Sequence, residues 1–265
     1  MRILITGTTG FVGHKLKASY TDAIAAPSLR NATQDMVKKI VEESEADVVI
    51  HTAAISDIGT CQKDPQSSYF ANVQIPLYLA AACKDRKLIC FSSDQVYSAC
   101  KEEGPYIEDV VKPGNIYAEH KLEMEERVLE LVPSAVMLRA EWMYDYVSPK
   151  PNYFLNVLHA SQQVSFSSRQ FRGVTYLKEV VENMDHVMTL PGGAYNFGSE
   201  TTHSMYEITE QFLQLLGKVV QLQDALRRHN LWMNCEKARK YGIEFSEVSD
   251  GLKRCLNDYK TTIKQ

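Results

Sequence analysis

Short apolar runs alternate with amphipathic stretches through the first half of the chain, and this alternation restricts the fold more than any single motif. "RILIT", "AIAAP", "DVVIHTAA", "KLICFSS" and "AVMLRA" read as buried strands. "FVGHKLKASY", "TQDMVKKIVEES", "PLYLAAACKD" and "KLEMEERVLELV" read as the helices between them. Near-continuous apolar strands alternating with helices predict an α/β fold with a doubly wound parallel sheet covered on both faces. Ligands of such sheets bind beyond the carboxyl ends of the strands, where strand order reverses. Polar residues directly after an apolar run therefore gain weight as site residues.

After Tyr146 the alternation loosens. "SPKPN" reads as a loop, and "YFLNVLHAS", "TYLKEVVENMDHVMTL", "HSMYEITEQFLQLLG" and "SDGLKRCLNDYKTTI" as helices, while "GGAYNFGS" reads as a strand returning to the sheet. The expected organisation is a nucleotide-binding domain over 1–146, with about 174–202 returning to it. A small C-terminal substrate lobe takes about 147–173 and 203–265. A net charge of −4 gives no reason to expect nucleic acid or an anionic membrane as partner. The six cysteines form no CxxC pair and no metal-ligand spacing with the seven histidines, so no metal is expected and free thiols in a reducing compartment are. "MRILITG" carries no basic leader and no long apolar segment follows it, which predicts a cytoplasmic protein. A homodimer is left open.

"ILITGTTGFVG" places Gly7, Gly10 and Gly13 between the first strand and the first helix. Glycines there allow a tight turn and let backbone N–H groups and the helix N-terminus approach a pyrophosphate. The spacing resembles the TGxxGxxG loop of the extended, sugar-nucleotide branch of the short-chain dehydrogenase/reductases, which implies a Rossmann-type sheet. The resemblance also implies that Thr9, Phe11 and Val12 lie along the cofactor diphosphate. "AIAAPSLRN" ends the second strand without the acid that usually holds an NAD ribose. Ser28 and Arg30 suit a 2′-phosphate instead, so NADP is expected over the alternative, NAD.

Among 14 tyrosines, the pattern YxxxK occurs at Tyr97–Lys101, Tyr117–Lys121 and Tyr146–Lys150. Chance supplies about one such match, so the context has to decide. The chemistry needs both side chains on one helix face, where the ammonium lowers the phenol's pKa and permits proton exchange. Pro149 and Pro151 break the third pair and a turn follows the first. Only Tyr117 opens a long helical run, after Asn115 as N-cap.

"FSSDQVY", from Phe91 to Tyr97, ends the fourth strand with Ser92 and Ser93, of which side-chain alternation lets one face the pocket. The segment resembles the "STDxVF" of dTDP-4-dehydrorhamnose reductases and the "STDEVY" of nucleotide-sugar 4,6-dehydratases. That resemblance selects Ser93 as the catalytic hydroxyl and leaves Ser92 as a neighbour of the cofactor. Asp94–Gln95 stands where dehydratases carry Asp–Glu, and an amide cannot act as their general base, which argues against elimination. "LRAEWMY" resembles the reductases' "RTSWVY" and implies that Trp142 borders the substrate. "FRGVTYLKEVVENM" resembles their following segment and brings in Arg172. Asp94 and Gln95 join these as substrate-binding candidates, and "TAAISD" makes Ala53 and Ala54 backbone contacts of the cofactor. Arg139 is open between a substrate diphosphate and a structural ion pair, His51 and His120 read as packing or surface residues, and "EMEER" as a solvated helix face.

The resemblance implies an NADP-dependent reductase acting on a keto group of a nucleotide-activated deoxysugar. Tyr117 is then the proton donor, with Lys121 and Ser93 beside it. The alternatives are a sugar-nucleotide epimerase of the same fold and a non-catalytic NADP-binding regulatory subunit.

Overall fold

The computed structural model describes residues 1–148, 150–226 and 229–263. Pro149, in the expected "SPKPN" loop, lies outside the described residues. The first half alternates as the apolar pattern requires: β1 (Ile3–Thr6), α1 (Phe11–Ser19), β2 (Ile24–Ala25), α2 (Gln34–Ser44) and β3 (Val48–His51). Two short helices, α3 (Ile58–Lys63) and α4 (Pro65–Tyr69), run through a π-helical turn at Phe70–Gln74 into α5 (Ile75–Ala82). Then come β4 (Lys87–Ser93), a 3-10 turn over Asp94–Tyr97, α6 (Ile116–Leu131) and β5 (Val136–Ala140). The α3 and α4 turns have no counterpart in the apolar periodicity. Each is started by an aspartate cap, Asp57 and Asp64.

The second half contains β6 (Trp142–Tyr144), α7 (Tyr153–His159), β7 (Gln163–Phe166), β8 (Gln170–Phe171), β9 (Val174–Tyr176), α8 (Leu177–Glu182), α9 (Met184–Thr189) and β10 (Gly193–Phe197). It closes with α10 (Met205–Leu216), β11 (Gln221–Asp224), β12 (His229–Asn230), α11 (Glu236–Arg239) and α12 (Val248–Thr262). The helix expected over "TYLKEVVENMDHVMTL" is in fact a strand and two helices. Thr175 and Tyr176 pair with β6, and Asn183 interrupts the rest by turning its carboxamide to the backbone of Glu244.

The chain divides into two compact units. The first comprises Met1–Ala99, Val111–Arg139 and Met184–Tyr195, and the second Cys100–Val110, Ala140–Asn183 and Asn196–Gln265. A six-stranded sheet in the order β10-β5-β4-β3-β1-β2 forms the centre of the first unit, with β3 parallel to both β1 and β4 and β1 parallel to β2. From β1 the chain steps outward to β2 and then returns to β3 on the other flank of β1. Strand order thus reverses between β1 and β3, the position at which doubly wound sheets open a binding crevice. Leu4, Val49, Leu88 and Met137 from the strands pack with Val41, Leu79 and Val128 from the helices to form its core. In the second unit the Tyr144 ring stacks between Phe154 and Tyr176, and Phe212 and Leu252 close that core. Among the described residues no helix is long and apolar enough to cross a membrane.

Candidate active site

The loop after β1 takes its shape from its glycines. Gly7 sits at φ +72°, in the left-handed region, and a Cβ there would lie 2.7 Å from the Ala53 backbone nitrogen. A Cβ on Gly13 would come within 2.3 Å of the Gly7 carbonyl oxygen. The turns after β1 and β3 are therefore in backbone contact, pinned further by Thr52 Oγ1 donating to the Thr6 carbonyl at 2.8 Å. Asn72 fixes the β3 turn, accepting from Ile55 N and donating to Ile55 O. This is a structural use of that asparagine. Thr9, Gly10 and Ala54 are exposed, and Phe11, Val12 and Ala53 half-buried. Gly10 is the N-cap of α1 and brings no side chain to it. An open loop without side chains at a helix N-terminus, beside the reversal of strand order, fits a dinucleotide diphosphate. Ser28 and Arg30 follow β2, and both are exposed.

Ser93, Tyr117 and Lys121 come together in the first unit. Asn115 caps α6 through Ala118 N at 2.9 Å, placing Tyr117 in the first turn and Lys121 one turn on. The Tyr117 phenol is hydrogen bonded to the Ser93 hydroxyl. The Lys121 ammonium lies 5.9 Å from the Tyr117 ring centroid and donates to the Phe91 carbonyl at 2.7 Å. Burial drives Lys121 down to about 8. The phenol differs from the sequence expectation: burial pushes it above its usual value, Asp94 adds to the rise, and the Ser93 bond only opposes it. Tyr117 is thus a neutral phenol at rest, the form that can give up a proton.

The other two tyrosine–lysine pairs do not assemble. Tyr97 is buried and receives a bond from Arg139 at 2.9 Å, while Lys101 is exposed beyond the 3-10 turn. Tyr146 packs near Tyr259, and Lys150 is exposed.

Ser92 and Ser93 meet different residues of α6, Ser93 the Tyr117 phenol and Ser92 the Glu125 carboxylate. Ser92 Oγ donates to Glu125 at 2.5 Å, so its hydroxyl is engaged in the core, and only its backbone is left to meet a cofactor. Arg139 is a structural ion-pair partner: its guanidinium clasps Glu125 at 2.7 and 3.1 Å. Glu125 belongs to "EMEER" but is buried, a correction to the solvated reading of that run. Its spacing of four from Lys121 and eight from Tyr117 is the sequence signal that it shares their buried face. His51 is also buried, with Nδ1 2.7 Å from Thr6 Oγ1, and burial followed by the Lys121 charge lowers it to about 3. His120 Nδ1 meets Ser68 Oγ at 2.8 Å, a packing role.

Asp94 and Gln95 are both buried beside Ser93. Ser93 Oγ donates to Asp94 at 3.1 Å and accepts from Gln95 N at 3.2 Å, and Gln95 Oε1 accepts from Asn115 at 3.3 Å. In the second unit the Arg172 guanidinium lies 3.9 Å from the centroid of the Trp142 ring. Arg172 is 1% exposed and Trp142 45%, so the cation backs an indole that faces solvent.

The glycine loop, the reversal of strand order beside it and the tyrosine–lysine pair on α6 define an extended short-chain dehydrogenase/reductase. The sequence model of the RmlD substrate binding domain matches residues 1–261, and the chain belongs to that family. A dTDP-4-dehydrorhamnose reductase of Mycolicibacterium smegmatis is 34% identical over 152 residues, covering 54% of this chain and about half (46%) of that relative's length. A second, from Aggregatibacter actinomycetemcomitans, is 27% identical over 224 residues, covering 78% of this chain and 76% of the relative. The crystal structure of dTDP-4-dehydrorhamnose reductase from Bacillus anthracis, in complex with NADP, shares the fold with a TM-score of 0.85. It is 20% identical, and the match covers 97% of this chain and 98% of that one.

Proposed function

We propose that this protein is an NADPH-dependent reductase of a keto group on a nucleotide-activated deoxysugar, of the dTDP-4-dehydrorhamnose reductase kind. The observation that carries the reading is the convergence of Ser93, Tyr117 and Lys121 at the end of β4, in the unit that holds the glycine loop. The names of the relatives supply the substrate class.

The glycine loop and the first turn of α1 would hold the cofactor diphosphate, with Ala53 and Ala54 alongside and Ser28 and Arg30 at the 2′-phosphate. NADPH, when bound, supplies the reducing equivalent to the carbonyl carbon. Ser93 donates a hydrogen bond to the carbonyl oxygen and so favours the charge that develops there. Tyr117, protonated at rest, gives its proton to that oxygen as the carbonyl is reduced. Lys121, an ammonium one turn away, stabilises the phenolate left behind. Trp142, backed by Arg172, offers an aromatic face to the substrate, and we assign the second unit to substrate binding on that ground.

The test is consumption of NADPH in the presence of dTDP-4-keto-6-deoxyhexose, followed by reduced-nicotinamide absorbance. Stoichiometric consumption is expected. Interconversion of sugars with no net consumption would point to an epimerase, and tight NADPH binding with no turnover of keto sugars to a regulatory subunit.

A further inference from the structure

Lys121 is buried, and Glu125 stands one turn further along the same face of α6. Two strands converge on the Glu125 carboxylate. Ser92 donates to it from β4 at 2.5 Å, and Arg139 donates to it from β5 at 2.7 and 3.1 Å. Arg139 in turn bonds Tyr97 of the 3-10 turn at 2.9 Å. Ser92 is the chain neighbour of Ser93, so the strand end and the helix that carry the proposed chemistry are tied at this carboxylate. A buried ion pair is a weak source of stability, since apolar packing of the same volume often does as well. The pair invites a second role.

We infer that Glu125 is a positioning residue that acts through Lys121, its carboxylate keeping the lysine in the ammonium form inside a site that excludes water. This rests on the assignment of Tyr117 and Lys121 given above. The groups facing Lys121 are Tyr117 and Glu125 from α6, Cys90 and the Phe91 carbonyl from β4, His51 from β3 and Cys61 from α3. Burial holds the Cys90 thiol up at about 12 and His51 down at about 3, and the Tyr117 phenol stays protonated. Cys61 Sγ donates to the Ile55 carbonyl at 3.3 Å. Glu125, paired with Arg139 at 2.7 Å, is the carboxylate among these groups, and its charge opposes the desolvation that pulls Lys121 toward its neutral form.

The ¹³Cε resonance of Lys121, assigned by its loss in Lys121→Arg, reports this protonation directly in the cofactor-free protein. In Glu125→Gln its midpoint is expected to fall by about one pH unit or more from the wild-type value. The alkaline limb of kcat should move down with it, which a purely structural role would not do. If Glu125→Gln does not fold, Glu125→Gln combined with Arg139→Met is compared with Arg139→Met alone, and the midpoint must fall below that of Arg139→Met, which isolates the carboxylate's charge. An unchanged or raised midpoint in a folded variant overturns the inference. A lowered midpoint supports it even where no keto sugar turns over, a result that would count against the proposed reaction alone.

Discussion

Asn115 Nδ2 donates to Gln95 Oε1 at 3.3 Å while Asn115 Oδ1 caps α6. The residue that starts the helix of Tyr117 is thereby joined to the turn that follows Ser93. Asn115→Ala is expected to cost about 1 kcal/mol of stability through loss of the cap. It should also lower kcat more than it weakens NADPH binding, because the phenol loses its register with Ser93. Asn115→Asp keeps the cap but not the donor to Gln95, so it should recover the stability and only part of the rate. Urea unfolding and steady-state kinetics on the two variants separate these effects.

Ser93→Ala and Lys121→Met are each expected to lower kcat by about 10²- to 10⁴-fold, the range for loss of a positioned proton-transfer or hydrogen-bonding group. NADPH affinity should hold within about threefold in Ser93→Ala, since the serine bonds the substrate oxygen in this account. A KM increase at constant kcat in Ser93→Ala would place that hydroxyl in ground-state binding instead.

His51 makes stability depend on acid pH with a definite sign. Its folded value, about 3, lies below the unfolded value of 6.5, so between these the unfolded chain binds a proton that the folded protein does not. Stability must fall as pH drops from about 6.5 toward 3. Asp57 and Asp64, whose carboxyls are held low by bonds from Thr60 and Ser67, contribute in the same direction. His51→Asn removes only the imidazole share, so urea midpoints plotted against pH should be flatter for the variant. Parallel curves would contradict the buried neutral imidazole.

Arg30 and Ser28 stand exposed after β2, where an NAD-specific site carries an acid. Arg30→Ala is expected to weaken NADPH binding by about 10- to 100-fold, as loss of one charge-assisted phosphate contact would. NADH binding should be nearly unchanged. Fluorescence titration with both nucleotides measures the ratio, and equal losses for the two would remove Arg30 from the 2′-phosphate site.

Strands β1 to β5 are legible in the chain because each lies in an apolar run bounded by turn residues, and Gly7, Gly10 and Gly13 announce the loop. Tyr117 is distinguishable from Tyr97 and Tyr146 because only its lysine shares a helix. Other features depend on partners distant in sequence. Glu125 looks solvated among "EMEER" until Arg139 and Ser92 close on it. The break at Asn183 needs Glu244, 61 residues away, to receive its carboxamide. The state of the Tyr117 phenol is set by burial, which spacing does not report.

Tyr117 is proposed as the proton donor of an NADPH-dependent reduction. The measurement that tests it most directly is NADPH oxidation with dTDP-4-keto-6-deoxyhexose, run on wild type and Tyr117→Phe with NADPH binding measured on both. Turnover is expected in the wild type, with a loss of at least about 10²-fold in Tyr117→Phe while NADPH still binds. Turnover that survives in Tyr117→Phe would contradict the proposal.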